Sequence, residues 1–273
     1  MTTTTLHTAL ITGASSGLGA AYARLLAAEG HQLVLVARRL DRLEELIKEL
    51  QQQYPQRMEA ISCDLAEASA TAHLMDEIAT RELSIDILIN NAGYSPKDSF
   101  SQQTPQVVQA QLHVMVNAVT ELCHAVLPNM TEKKWGRIIN VSSLAAFAPP
   151  GRGTMYSAIK QYVLAFSQSL DMDVRRDGIR VTALCPGFTH TEFHDVMDVA
   201  DKASKIPAAF WSDAPFVVSA GWRAVNAGQA VCTPGMLNNV IAVVSKRLPE
   251  RVRYHMGRVN PLHCPAFQNM PGS

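Results

Sequence analysis

The chain has 273 residues, 47% hydrophobic and 18% charged, which supplies a sizeable core and argues against disorder. Its 24 Lys and Arg balance 24 Asp and Glu, so the basic footprint of a general nucleic-acid binder is missing. Five scattered cysteines, Cys63, Cys123, Cys185, Cys232 and Cys264, form no CxxC pair, which leaves no sign of a disulfide frame or a metal site.

The first apolar run, residues 7–14, reads as a buried strand, and "TGASSGLG" follows it. Gly13, Gly17 and Gly19, with Ser15, Ser16 and Leu18 between them, make a G-x3-G-x-G turn that opens a helical pattern from Gly17 to Glu29. Glycines there permit a tight turn and close backbone approach to a pyrophosphate, which the free N–H groups of a helix start favour. The second run, residues 31–38, ends "VLVARRLD". A carboxylate at that end would grip the ribose 2′-OH of NAD; Ala37 stands there instead, and Arg38 and Arg39 follow. Guanidinium groups suit a 2′-phosphate, so NADP(H) is expected over NAD(H).

Helical Leu40 to Gln53 leads to further strand-like runs at 58–65, 85–93, 136–143 and 178–187. Thr104 and Pro105 give a helix start signal before "QVVQAQLHVMVNAVTELCHAVLP". Apolar strands alternating with helices predict an α/β fold, a parallel sheet covered on both faces. Tyr156 and Lys160 in "YSAIK" lie four apart, on one face if that segment is helical. No run reaches the ~18 apolar residues of a membrane span, and no signal-peptide pattern opens the chain. The expectation is a soluble, cytoplasmic protein of a single domain, 1–273.

"TGASSGLG", "NNAG" (90–93), "NVSS" (140–143), "YSAIK" and "PGFTHT" (186–191) stand in an order that resembles the short-chain dehydrogenase/reductases. That resemblance implies a Rossmann-type doubly wound sheet of about seven parallel strands, the last near 228–235. It implies an oxidoreductase that interconverts a carbonyl compound and an alcohol. It assigns Ser143 as the serine that binds the reacting oxygen, Tyr156 as the acid/base and Lys160 as the ribose-binding tuner of Tyr156. Asn117 completes that tetrad through a helix kink that seats a water near Lys160. Asp64 and Leu65 fall beside the adenine, and Asn90, Ala92 and Gly93 beside the adenosine ribose. Pro186, Gly187, Thr189 and Thr191 fall beside the nicotinamide or pyrophosphate. A cation ~4 Å from a tyrosine is worth up to ~4 kcal/mol at an effective dielectric near 20, so Lys160 is expected to pull Tyr156 toward neutrality. A non-enzymatic NADP-binding sensor or scaffold on the same fold is the competing class.

Residues 188–225 are expected to form a substrate lid, aromatic through Phe188, Phe193, Phe210, Trp211, Phe216 and Trp222, with Met197. Leu144, Phe147 and Met155 are expected to face the cleft, and the substrate to be fairly apolar. Arg152 is the carboxylate partner if it is not. Residues 236–273 form a basic C-terminal extension with helical apolar spacing at Leu237, Ile241, Val244 and Leu248. Packing against the lid or another subunit is expected of it, with a weak membrane-surface contact as the alternative. A homodimer or homotetramer is expected from the resemblance.

Overall fold

The computed structural model describes residues 6–96, 98–148, 154–190 and 211–259. Strands β1 (Thr8–Thr12), β2 (Gln32–Ala37), β3 (Met58–Ser62), β4 (Ile87–Asn90), β5 (Gly136–Val141) and β6 (Ile179–Leu184) come in chain order, separated by helices. These are α1 (Gly17–Ala28), α2 (Leu40–Gln51), α3 (Ala70–Thr80), α4 (Pro105–Leu112), α5 (Ala118–Glu132) and α6 (Thr154–Val174). A short ribbon pairs β7 (Phe188–His190) with β8 (Trp211–Asp213). Then come α7 (Ala214–Asn226), β9 (Val231–Cys232), α8 (Met236–Arg247) and α9 (Glu250–Val259). The main sheet has seven parallel strands in the order β3-β2-β1-β4-β5-β6-β9.

All five residues of β1 are buried, which explains why its sequence is a continuous apolar run rather than an alternation. Side chains still alternate between faces. Ala9 and Ile11 join Leu26, Leu35 and Leu43 on one side, while Leu10 joins Val34, Leu88, Leu122 and Val181 on the other. The chain winds outward in one direction through β2 and β3 and returns to β4 on the other side of β1. That reversal opens a crevice at the carboxyl ends of β1 and β4, where ligands of such sheets sit.

A buried polar knot locks the strands bordering this crevice. Asn90 donates to Asn140 Oδ1 at 2.9 Å, and Asn140 donates to Ser167 Oγ of α6 at 3.0 Å. Asn90 also reaches the Val119 carbonyl and Cys123 Sγ of α5, each at 3.4 Å. Every member is satisfied within the protein, so the knot fixes register without leaving an orphan.

Two expectations need correction here. The helical pattern after Thr104 is interrupted: Thr104 caps α4, accepting from Val107 N, but His113–Asn117 forms one π-helical turn before α5. An inserted residue of this kind leaves no hydrophobic-period signature. Trp222 is no lid residue: it is 6% exposed in the core beneath α7, and its Nε1 donates to Glu29 at 2.6 Å. Its spacing with Val218 and Val225, both buried, follows the core-facing side of α7. Phe216 lies on the opposite, exposed side. Phe188 and Trp211 face each other across the β7–β8 ribbon, centroids 5.7 Å apart. Phe193, Met197, Phe210, Arg152, Thr191 and Cys264 lie outside the described residues.

Candidate functional site

The glycine turn sits at the mouth of the crevice. Gly13 and Gly17 have φ of +65° and +56°, left-handed values that β-carbon-bearing residues avoid. A Cβ on Gly19 would come within 2.3 Å of the Gly13 carbonyl oxygen, so the first turn of α1 packs flush on the loop. Ser16 is the N-cap, yet its hydroxyl makes no capping bond, and the first turn carries no acidic side chain. The helix therefore presents uncapped N–H groups and an unopposed partial positive charge, a donor set that fits a pyrophosphate.

Two residues that brace the turn were not singled out from the sequence. The Asn91 amide donates to the carbonyls of Thr12 and Gly13 at 3.0 and 3.2 Å. Thr12 Oγ1 accepts from the backbone N–H groups of Asn91 and Ala92 at 3.0 and 3.1 Å. Asn90, by contrast, turns its side chain into the core knot, so any contact it makes with a ribose is through its backbone. The strand's period of two gives the signal: Asn90 ends β4, and Asn91 is the first residue beyond it.

At the end of β2, Arg39 Nη2 donates to Ser15 Oγ at 3.2 Å, folding one guanidinium over the glycine turn. Arg38 is exposed, and among the described residues its side chain makes no hydrogen bond or ion pair. Burial raises the Tyr94 hydroxyl pKa; nearby Arg38 opposes this and Asp64 adds to it, so the three groups sit in one electrostatic neighbourhood. Asp64 accepts from Ala66 N at 3.1 Å and is exposed, with Leu65 buried beside it. Ala92 and Gly93 follow on the other side of the crevice, and a Cβ on Gly93 would meet Met115 first, at 3.4 Å.

Across the crevice, the structure brings Ser143, Tyr156 and Lys160 together. Ser143 follows β5 in extended conformation and accepts from Ala145 N at 3.1 Å, starting a tight turn over Leu144–Ala146. Tyr156 lies in the first turn of α6, near enough to Ser143 for the serine hydroxyl to act on its titration. Lys160, one turn on, is buried, with its Nζ 5.5 Å from the Tyr156 ring centroid and donating to the Val141 carbonyl at 2.8 Å. Ser142 Oγ donates to the Lys160 carbonyl at 2.7 Å and pins that turn to β5; it is the serine of "NVSS" with the structural task.

Electrostatics depart from expectation. Burial pushes the Tyr156 hydroxyl up to about 12, only partly offset by the Ser143 hydrogen bond. Burial also pushes Lys160 down to about 8. The ammonium is held by a backbone carbonyl and is itself desolvated, so in this geometry burial outweighs the attraction. Asn117 ends the π turn, is exposed, and among the described residues its side chain bonds to none of the three. The π turn itself packs against α6.

Pro186 and Gly187 close the far lip, with the Pro186 carbonyl accepting from Leu144 N at 2.8 Å. Thr189 is buried and donates to the Gly187 carbonyl at 3.3 Å. Tyr94, Met115 and Met155 pack in the apolar cluster that also holds Tyr156. Phe147 does not face the cleft: it is 3% exposed, buried with Leu164, Ala183, Cys185 and Ala242. Among the described residues there is no group of His, Cys, Asp and Glu placed to hold a metal ion.

Residues 7–201 match the family model described as short chain dehydrogenase. A solved short-chain dehydrogenase from Sphingobium yanoikuyae in complex with NADPH is 33% identical and superposes with a TM-score of 0.77, covering 89% of this chain and 96% of its own. The bulky-bulky ketone specific alcohol dehydrogenase from Comamonas testosteroni is 30% identical with a TM-score of 0.74, covering 90% of this chain and 96% of its own. Sulfoacetaldehyde reductase 2 from Chromohalobacter salexigens is 35% identical over 200 residues, 71% of this chain and 77% of that protein. With the seven-stranded sheet and these matches in place, the chain belongs to the short-chain dehydrogenase family and is an oxidoreductase.

Proposed function

We propose that the protein reduces an apolar ketone or aldehyde to its alcohol with NADPH, Tyr156 delivering the proton. The observation that carries this reading is Tyr156 standing beside buried Lys160 and next to Ser143, across the crevice from a glycine turn that fits a dinucleotide. The residues that would hold the cofactor are the Gly13–Gly19 turn, Arg38, Arg39, Asp64, Ala92 and Lys160, with Pro186, Gly187 and Thr189 on the far lip. A nicotinamide cofactor bound there would supply the hydride for the carbonyl carbon. Ser143 then donates a hydrogen bond to the substrate oxygen as charge develops there. Tyr156 gives its proton to that oxygen, and Lys160 stabilises the tyrosinate left behind. With its hydroxyl at about 12, Tyr156 is protonated at neutral pH and is set as a donor, which favours the reducing direction.

The substrate class rests on the partly buried Tyr94 and Met155, which pack in the same apolar cluster as Tyr156. The bulky-ketone relative supports an apolar substrate, whereas the sulfoacetaldehyde reductase acts on a small one. A kcat/KM series with NADPH separates the two. Each methylene buried is worth about 0.8 kcal/mol, so values should rise about fourfold per added methylene until the cleft is full. A preference for short keto acids would overturn the apolar reading.

NADP(H) preference rests on exposed Arg38 and on Arg39 beside Ser15. A charged hydrogen bond to a 2′-phosphate contributes roughly 1.5–3 kcal/mol, so Arg38→Ala should weaken NADPH binding about ten- to a hundredfold and leave NADH unchanged. Equal binding of the two cofactors by the wild type, in fluorescence titration, would contradict it.

Among the described residues no helix is long and apolar enough to cross a membrane. Exposed Met172 on α6 and Met236, Val240 and Val244 on α8 are apolar surface that a second subunit would cover in a homodimer or homotetramer. A monomer by light scattering at assay concentration would contradict that, and sedimentation with anionic vesicles tests the lipid alternative.

A further inference from the structure

We infer that α8 and α9 are a positioning clamp on the loop after Ser143, with Lys246 and Arg253 setting the rate of reduction without touching the substrate. This rests on the reading of Ser143 as the donor to the substrate oxygen. The two helices lie beyond residues 7–201, the part of the chain the family model matches.

The contacts converge on the stretch from Ser143 to Ala148. Ser143 opens the turn, Leu144 N is held by the Pro186 carbonyl, and Phe147 N closes the turn on the Leu144 carbonyl. Phe147 is the plug: its ring is buried against Ala242 of α8, Leu164 of α6, and Ala183 and Cys185 of β6 and the residue after it. Lys246 Nζ stands 4.5 Å over the same ring, a cation–π contact from the last turn of α8. Arg253 of α9 donates through Nη2 to the Ala148 carbonyl at 3.3 Å. Its Nη1 donates to Glu250 at 3.2 Å, and its Nε is buried with no partner among the described residues, so that side chain has been drawn inward against its solvation preference.

The opposite lip is gripped by the same helix. Asn238 is buried and donates to the Pro234 carbonyl at 2.8 Å. A Cβ on Gly187 would come within 2.7 Å of Asn238 Oδ1, so the Pro186–Gly187 turn lies directly on α8. One helix thus touches both the Ser143 loop and the turn bordering the nicotinamide side. Its outward face, with Met236, Val240, Val243 and Val244 exposed, packs on nothing in the described chain. The inward contacts end on a ring and a carbonyl four and five residues past Ser143. They are placed to limit where the Ser143 hydroxyl sits, and small displacements of a reacting group are costly in rate.

The test uses Lys246→Met and Arg253→Met, singly and together, in the full chain with NADPH and a ketone that the wild type reduces. The double variant should lose about tenfold in kcat, with NADPH affinity and Tm at wild-type values. Lys246→Arg, which keeps a cation over the ring, should restore the rate. Hydrogen exchange at the Leu144 and Phe147 amides should speed up in the double variant. Wild-type kcat with unchanged exchange would overturn the clamp. So would a parallel fall in Tm and NADPH binding, which marks a purely structural role. Exchange is read without turnover, so it judges the clamp even if the wild type reduces no carbonyl, the result that would instead sink the proposed reaction.

Discussion

Tyr156→Phe is expected to bind NADPH with wild-type affinity and to reduce ketones roughly 10²–10⁴-fold more slowly, the usual worth of a positioned general acid. Phenylalanine keeps the ring that packs among Met115, Met155 and Ile159 and removes only the oxygen, so Tm should hold. What is lost is the proton for the substrate oxygen and the polar neighbour of Ser143. The pH profile carries a second signature. Tyr156, pushed up to about 12, stays protonated through the neutral range. Lys160, pushed down to about 8, is charged below that pH and neutral above it. Only the charged form stabilises the tyrosinate, so kcat/KM for reduction should be flat near neutrality and fall as pH rises through about 8. A Tyr156→Phe variant with near wild-type turnover would remove Tyr156 from the mechanism, and a rate that climbs above that pH would remove Lys160.

Gly19→Ala should abolish cofactor binding while leaving the sheet intact. The new methyl would meet the Gly13 carbonyl oxygen at 2.3 Å and Asn91 Nδ2 at 2.7 Å. The carbonyl is backbone, and Asn91 is already committed to two carbonyls of the turn, so neither can yield alone. Overpacking of this kind costs roughly 1–3 kcal/mol in the protein. The larger effect falls on the ligand. The turn must lift away from α1, and the N–H groups aimed at the pyrophosphate lose alignment, with an expected loss of about a hundredfold or more in NADPH affinity. If Gly19→Ala binds NADPH as tightly as the wild type, the cradle is not where the dinucleotide sits.

What could be read in advance follows from what sequence encodes. Strands buried on both faces betray themselves as apolar runs, and a tyrosine and lysine four apart share a helix face whatever surrounds them. Deciding between neighbours is harder. "NN" and "SS" each hold one residue turned into the core and one that is not, and the strand end decides which is which: Asn90 and Ser142 point inward, while Asn91 braces the glycine turn and Ser143 opens the next one. Trp222 and Phe216 look equally suited to a lid, but the phase of α7 on the core separates them. The π turn at His113–Asn117 has no compositional mark. Spacing predicts that Lys160 pulls Tyr156 down, and burial, a tertiary property, pushes it up by more. Spacing locates the lysine, but it does not reveal that the lysine is desolvated and held by Val141.

The most direct measurement follows the hydride itself. The protein is incubated with NADPH deuterated at the hydride-bearing nicotinamide carbon and an apolar aryl ketone, and the products are analysed by mass spectrometry. The account predicts an alcohol carrying one deuterium on its carbinol carbon, formed by wild-type protein and nearly absent with Tyr156→Phe. Tight NADPH binding with no deuterated alcohol from any ketone or aldehyde would contradict it, leaving a dinucleotide-binding protein that does not reduce carbonyl groups.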